Sequence, residues 1–385
     1  MTIALRPLFA SVAAALILSG CGALPVTDPA AKASAQHGIL VSNGKLTEEG
    51  ELRRDLGLEH STAKRYPAAY AQWLPLAEQG HAESQFNIGL MLRDGLGVPA
   101  DAARSLDWTR KAAAANYPEA YLALGVRYAN GSGVAKDPVE ALRLWRLGAA
   151  LGDANSAFYV GQALFFGLDV PRDGPGGLKL LLQAAQADTP SVRAQSILGM
   201  IYLNGEDGVA RDYAKARQWL TLAAAGEDSQ AQHHLGVMHQ FGRGGPADMR
   251  RAIGWYERAA RQGNPASLNN LATFYKTGKN LPKDTKKARE YLERAHEAGN
   301  VDASVNLGDM LFMNRGAPAE REKAVALYKQ AAEAAHAAGQ CRYARALRHG
   351  EGVAANADES AVWLAKARAA KLACDTTLPL ATFLK

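Results

Sequence analysis

The sequence predicts an all-α fold, an α-solenoid of antiparallel helix pairs, and three in-phase observations carry that expectation. A small residue recurs inside one apolar helical stretch at Gly89, Gly125, Gly161, Gly199, Gly236, Ala272, Gly308 and Ala344, at intervals of 36 to 38 residues, which makes eight repeats. Six residues after each stands a turn glycine (Gly95, Gly131, Gly167, Gly205, Gly242, Gly278 and Gly350), with Asn314 the exception. Asp101, Asp137, Asp173, Asp212, Asp248 and Asp284 then follow at a similar interval. Each unit therefore reads as a helix A that ends on a glycine in the left-handed region and a helix B whose first N–H groups are capped by aspartate. One such pair cannot bury its own apolar face and must stack on the next.

Helix B carries a second signature. Trp73, Trp108, Trp145, Trp219, Trp255 and Trp363 are expected at one equivalent position, with Leu181, Tyr291 and Leu327 filling it elsewhere. Four residues on stands an alanine each time, at Ala77, Ala112, Ala149, Ala185, Ala223, Ala259, Ala295, Ala331 and Ala367. That is one helical turn, so the small side chain lies on the same face and admits a neighbouring helix. The mid-helix glycines cost about 1 kcal/mol each relative to alanine, which again points to close helix contact.

Taken in order, residues 1–20 read as a targeting segment: Arg6, an apolar run from Leu8 to Leu18, then Ser19-Gly20 before Cys21. Leu18-Ser19-Gly20-Cys21 resembles a bacterial lipobox, which implies that Cys21 becomes the acylated N-terminus. The run is shorter than the roughly 20 residues of a membrane-spanning helix. Several acyl chains would anchor the chain stably, and Gly22 in place of an aspartate implies the outer membrane of a two-membrane bacterium, with the domain facing the periplasm. Residues 21–45, rich in small and turn-forming side chains, read as a flexible tether, and residues 46–385 as the solenoid with its caps. Leu52 to Leu58 with Tyr70, Trp73, Leu74 and Leu76 predict a first helix pair without the glycine loop. Leu168-Asp169-Val170, Glu206-Asp207-Gly208, Asn280-Leu281 and Arg315-Gly316 depart from the loop pattern, and Gly174 to Gly177 are expected to loosen one helix B and disturb stacking between about 170 and 210. Leu378, Leu380, Phe383 and Leu384 are available to cover the last apolar edge.

The chain resembles the Sel-one-like repeat family, a longer-looped relative of the tetratricopeptide repeat. The residues that carry the likeness are the Leu-Gly pairs (Leu124-Gly125, Leu198-Gly199, Leu235-Gly236, Leu307-Gly308), the Gly-x-Gly-Val loops (Gly95 to Val98, Gly131 to Val134, Gly350 to Val353) and the Trp-plus-Ala helices. It extends over about residues 65–371. The resemblance implies a right-handed solenoid that holds peptides or protein segments, and it implies neither enzyme activity nor a cofactor.

The formal net charge of +6 is modest for 385 residues and excludes the strongly basic footprint of a nucleic-acid binder. Lys276, Lys279, Lys283, Lys286 and Lys287 face only Asp284 in sequence and form a candidate contact for an anionic partner. An extracytoplasmic compartment permits a disulfide between Cys341 and Cys374, provided their Cα atoms lie within about 7 Å. His233, His234 and His239 lack the spacing of a metal site, and none is expected. Ser61-Thr62-Ala63-Lys64, Tyr128-Ala129-Asn130 and Lys276-Thr277-Gly278 occur in the order of penicillin-binding enzymes and serine β-lactamases. The repeat register sets the last two four repeats apart, beyond the roughly 3 Å that a nucleophile and its base require. The expected function is a non-enzymatic envelope lipoprotein that binds other envelope proteins. Binding of peptidoglycan or an exported polysaccharide is the alternative, and a β-lactamase-like hydrolase the remote one.

Overall fold

The structure, a computed structural model, describes residues 38–313 and 318–384; Cys21 with the targeting segment, and Asn314 to Gly316, lie outside the described residues. It divides into two compact units, one up to Ala115 and one from Asn116 onward.

In the first unit a hairpin of β1 (Val41–Ser42) and β2 (Lys45–Leu46) precedes α1 (Glu48–Thr62), α2 (Tyr66–Glu78), α3 (Ala82–Asp94) and α4 (Ala102–Ala114). Asn43 and Gly44 both take positive φ, as the tight two-residue hairpin turn demands. The tether expected over 21–45 is therefore corrected in its described part. Leu40 is fully buried, and Gln79, the C-cap of α2, accepts the Leu40 N–H (2.7 Å) while donating to the Gly38 carbonyl (3.1 Å). The first helix pair closes without a glycine loop: Trp73 lies on Gly57 and its indole N–H reaches the Arg54 carbonyl at 3.2 Å.

The second unit continues the alternation with α5 (Pro118–Asn130), α6 (Pro138–Ala150), α7 (Ala154–Phe166), α8 (Gly174–Gln186), α9 (Val192–Asn204), α10 (Tyr213–Ala225), α11 (Ser229–Phe241), α12 (Met249–Arg261), α13 (Pro265–Thr277), α14 (Thr285–Glu297), α15 (Val301–Met313), α16 (Pro318–Glu333), α17 (Ala337–His349), α18 (Ala357–Ala369) and a short α19 (Leu380–Phe383). Odd-numbered helices from α3 to α17 are the A helices, and even-numbered ones their B partners. Within the unit each helix packs on its predecessor and successor up to α18, so the core is a continuous file of apolar clusters.

One loop design joins A to B. The turn glycine stands in the left-handed region and its N–H returns to the helix, as Gly131 does to Arg127. Two residues later φ is positive again, and there Asp169 (φ 55) and Asn280 (φ 70) replace the glycine found at Gly133 and Gly352. Aspartate and asparagine tolerate that region better than other side chains, so these departures preserve the loop. The cap residue closes it from both sides. Asp137 N–H donates to the Tyr128 carbonyl (2.8 Å), while its carboxylate accepts from the N–H groups of Val139 and Glu140 (3.0 Å each). Asp173, Asp212, Asp248 and Asp284 repeat both contacts.

Two expectations about helix B are corrected. The glycines at its start do not loosen α8, which has the same length as its neighbours. A Cβ on Gly177 would come within 2.4 Å of the Phe165 backbone nitrogen, so glycine there lets α7 and α8 approach backbone to backbone. Nor do the six tryptophans share one register. Trp73 and Trp145 are the eighth residues of α2 and α6 and face Gly57 and Gly125. In the corresponding place Thr109 faces Gly89, Leu220 faces Gly199 and Tyr256 faces Gly236, leaving Trp108, Trp219 and Trp255 one position earlier and half-buried. Trp363 falls at that same earlier position in α18. Helix B has two adjacent apolar positions, one facing its own helix A and one facing the preceding repeat, and tryptophan fits either.

Candidate interaction surface

The A helices of the second unit are joined by polar contacts one repeat apart. The Asn155 side-chain oxygen accepts from the Ser191 hydroxyl (3.0 Å), Ser196 donates to Asp228 (3.1 Å), Asn306 donates to Asn269 (2.8 Å), and the His336 ring meets Asp302 at 2.9 Å. Arg342 grips Asp309 through two parallel bonds of 2.6 and 2.8 Å, and the buried Tyr328 hydroxyl donates to the same carboxylate at 2.9 Å. Burial and the Asp309 charge push the Tyr328 phenol upward, so it stays a neutral donor. Sequence reasoning missed this seam. Its signal was polar residues at matching helix-A positions, visible only once the register is fixed.

Of the three histidines singled out in the sequence, His233 joins the seam. His233 Nδ1 lies 2.9 Å from the Ser267 hydroxyl, and its ring packs edge-on against His234 at 5.3 Å. Burial pushes both imidazoles down to about 4, with the neighbouring ring adding to the effect at His233. Ser267 is fully buried, so its hydroxyl is closed to any substrate. His81 with Ser84 and His296 with Ser304 also make 2.8 Å contacts, but local ones, three and eight residues apart in sequence. His239 instead lies beside the Arg217 guanidinium at 3.3 Å. Among the described residues no cluster of His, Cys, Asp and Glu has the arrangement of a metal site.

Two members of the penicillin-enzyme constellation are not brought together: Tyr128 lies in α5 and Lys276 in α13, and within the second unit α6 to α12 intervene between them. Thr277 spends its hydroxyl on the Thr273 carbonyl of its own helix (2.8 Å).

Lys276, Lys279, Lys283, Lys286 and Lys287 all come out exposed at the loop between α13 and α14. Lys287 lies over the Tyr275 ring, 4.9 Å from its centre, and Asp284 accepts the Lys287 N–H at 2.9 Å. Cys341 and Cys374 are bonded, with Cα atoms 5.7 Å apart, and this joins α17 to the segment that follows α18. That segment lies along α17. Buried Arg345 donates to the Asp375 carbonyl and stacks on Phe383, His349 meets the Thr376 carbonyl at 2.9 Å, and Leu380 is fully buried. The last apolar edge is thus covered by Leu380, while Leu378 and Phe383 remain substantially exposed.

Comparison with known proteins accords with this geometry. The family described as Sel1 repeat matches residues 82–117, 118–153, 154–188, 192–228, 229–264, 265–300, 301–336 and 337–371, each span being one A–B pair. A crystal structure of a Sel1 repeat protein from Oxalobacter formigenes is 30% identical, with a TM-score of 0.56 over 63% of this chain and 96% of that one. The mouse DAP3-binding cell death enhancer 1 is 25% identical over 198 residues, 51% of this chain and 31% of that protein. The yeast chitin synthase regulator SKT5 is 29% identical over 184 residues, 45% of this chain and 26% of that protein. The chain thus spans under a third of the length of these two curated relatives.

Proposed function

This chain belongs to the Sel1 repeat family, and on that premise we propose that it is a non-enzymatic scaffold that binds other proteins of a bacterial envelope. Sel1 repeat proteins mediate protein–protein interaction. The observation that carries the reading here is the run of stacked helix pairs in the second unit, whose A helices from α9 to α15 are joined by amide, hydroxyl, carboxylate and imidazole groups. Side chains of that kind hold extended partners by hydrogen bonds and shape, the usual mode of helical-repeat surfaces. The lipobox-like sequence ending at Cys21 supports an outer-membrane lipid anchor, with the repeats in the periplasm.

The test is crosslinking in intact cells followed by capture of the chain, native beside Cys21→Ala. A defined envelope protein captured with the native chain and lost with the variant is the expected outcome. Recovery of glycan fragments alone would replace the protein partner with a polysaccharide. Covalent labelling of Ser61 by a penicillin probe would overturn the non-enzymatic reading.

A further inference from the structure

We propose that the edge formed by the loops and first turns at α11–α12 and α13–α14 is the docking surface for an acidic protein segment that carries an apolar side chain. The inference rests on the scaffold reading and names the chemistry of one partner. Residues 240–251 hold Arg243, Arg250 and Arg251 against Asp248, and residues 276–287 hold the five lysines against Asp284. Eight cations thus face two aspartates, a net of +6, which equals the formal charge of the whole chain. Charge elsewhere in the sequence sums to zero, and the excess sits on this edge.

Both aspartates, already counted in that net charge, are held at helix caps. Asp248 caps α12 through the Arg251 N–H (3.0 Å) and pairs with the Arg251 side chain at 3.2 Å, while Asp284 caps α14. Among the described residues Arg250, Lys276, Lys279, Lys283 and Lys286 form no ion pair, and all are exposed. The two loops are neighbours through the repeat. Gly244 lies against the Tyr213 carbonyl at the start of α10 and Gly352 against the Arg321 carbonyl near the start of α16, so these two loops sit on the first turn of the preceding helix B. The same register sets the lysine loop on the first turn of α12, which bears Arg250 and Arg251, and Leu281, Met249 and Ile253 all pack into one core cluster.

An apolar group is set among these charges. Phe241 is 62% exposed with the Arg243 guanidinium 5.6 Å from its ring centre, and Tyr275 lies beneath Lys287. Clustered positive charge attracts an acidic segment from a distance, and the exposed ring offers it apolar contact that a purely anionic polymer does not use.

The measurement is fluorescence anisotropy of the purified full chain with a short fluorescein-labelled glutamate-rich peptide that has one central phenylalanine. Binding should weaken as salt rises and fall about tenfold or more in the Lys279→Glu/Lys283→Glu/Lys286→Glu variant. The same charge change at the exposed Lys179, Lys329 and Lys366 should have little effect. Phe241→Ala should weaken binding a few-fold without changing the salt dependence. Equal losses in the two lysine variants, or no binding at all, would overturn the proposal. Tighter binding of a polyuronate or a single-stranded oligonucleotide that is abolished by the same triple variant would overturn the protein partner. An envelope crosslink that survives the triple variant would reject this surface and leave the scaffold reading standing.

Discussion

Gly125 and Gly254 are both helical glycines, yet replacing each by alanine should move stability in opposite directions. A Cβ on Gly125 would stand 2.2 Å from the Trp145 indole nitrogen, so Gly125→Ala forces apart a well-packed helix pair and should cost about 1–3 kcal/mol. Around Gly254, on the exposed face of α12, nothing lies within 4 Å, so Gly254→Ala should gain about 1 kcal/mol from helix propensity. Urea denaturation of the two variants checks both signs. The histidine pair of α11 gives a pH dependence at the same scale. In the unfolded chain His233 and His234 take up protons near 6.5, but burial holds the folded rings near 4. Between those values the unfolded state binds more protons, so stability is retained above pH 6.5 and lost as pH falls toward 4, by on the order of 2 kcal/mol per ring at pH 5. Replacing both by glutamine should flatten the denaturation midpoint between pH 7 and 5, and an unchanged slope would show that the rings remain solvated. The glycines could be read in the sequence because only backbone geometry explains them. The histidine environment could not, because His233 reaches Ser267 through a contact 34 residues away.

Helix boundaries were legible for a local reason: each is set by a cap within a few residues of the helix it ends or begins. Asp137 serves α6 through two backbone N–H groups, and its own N–H ties the loop back to Tyr128. Asp137→Ala should cost about 1 kcal/mol, whereas Asp137→Asn should cost only a few tenths, since asparagine caps equally well. Thermal melts that rank the two alike would assign the effect to charge rather than to capping. The tryptophan register was less legible because the periodicity of helix B leaves two neighbouring apolar positions open, and only the opposing glycine distinguishes them. Trp145 lies on Gly125, while Trp255 leaves that place to Tyr256 and takes the Arg258 guanidinium 4.8 Å from its ring centre. The hairpin near Val41 was missed for another reason. Asn43-Gly44 is a strong turn signal, but strands of two residues give no alternation to read, and their anchor, Gln79, caps a helix more than thirty residues away.

In the second unit most long-range contacts join neighbouring helices, so a lesion should be felt mainly by the repeats beside it. Tyr256 offers a clear case. It is fully buried, its ring covers Gly236, its hydroxyl donates to Gln240 at 2.7 Å, and burial pushes its phenol up to about 12. Tyr256→Ala removes a large core side chain and should cost about 3–5 kcal/mol locally. In a chain stabilised by nearest-neighbour interfaces, that loss should speed amide hydrogen exchange in α11 to α14. Amides of α17, tied to its own C-terminal segment through Arg345, His349 and the Cys341–Cys374 bond, should keep most of their protection. Equal acceleration from α5 to α18 would instead mean that the unit opens as one cooperative body. The distinction bears on the scaffold reading, because a surface whose repeats open independently can yield at one partner's site while holding another's, and a single cooperative body cannot.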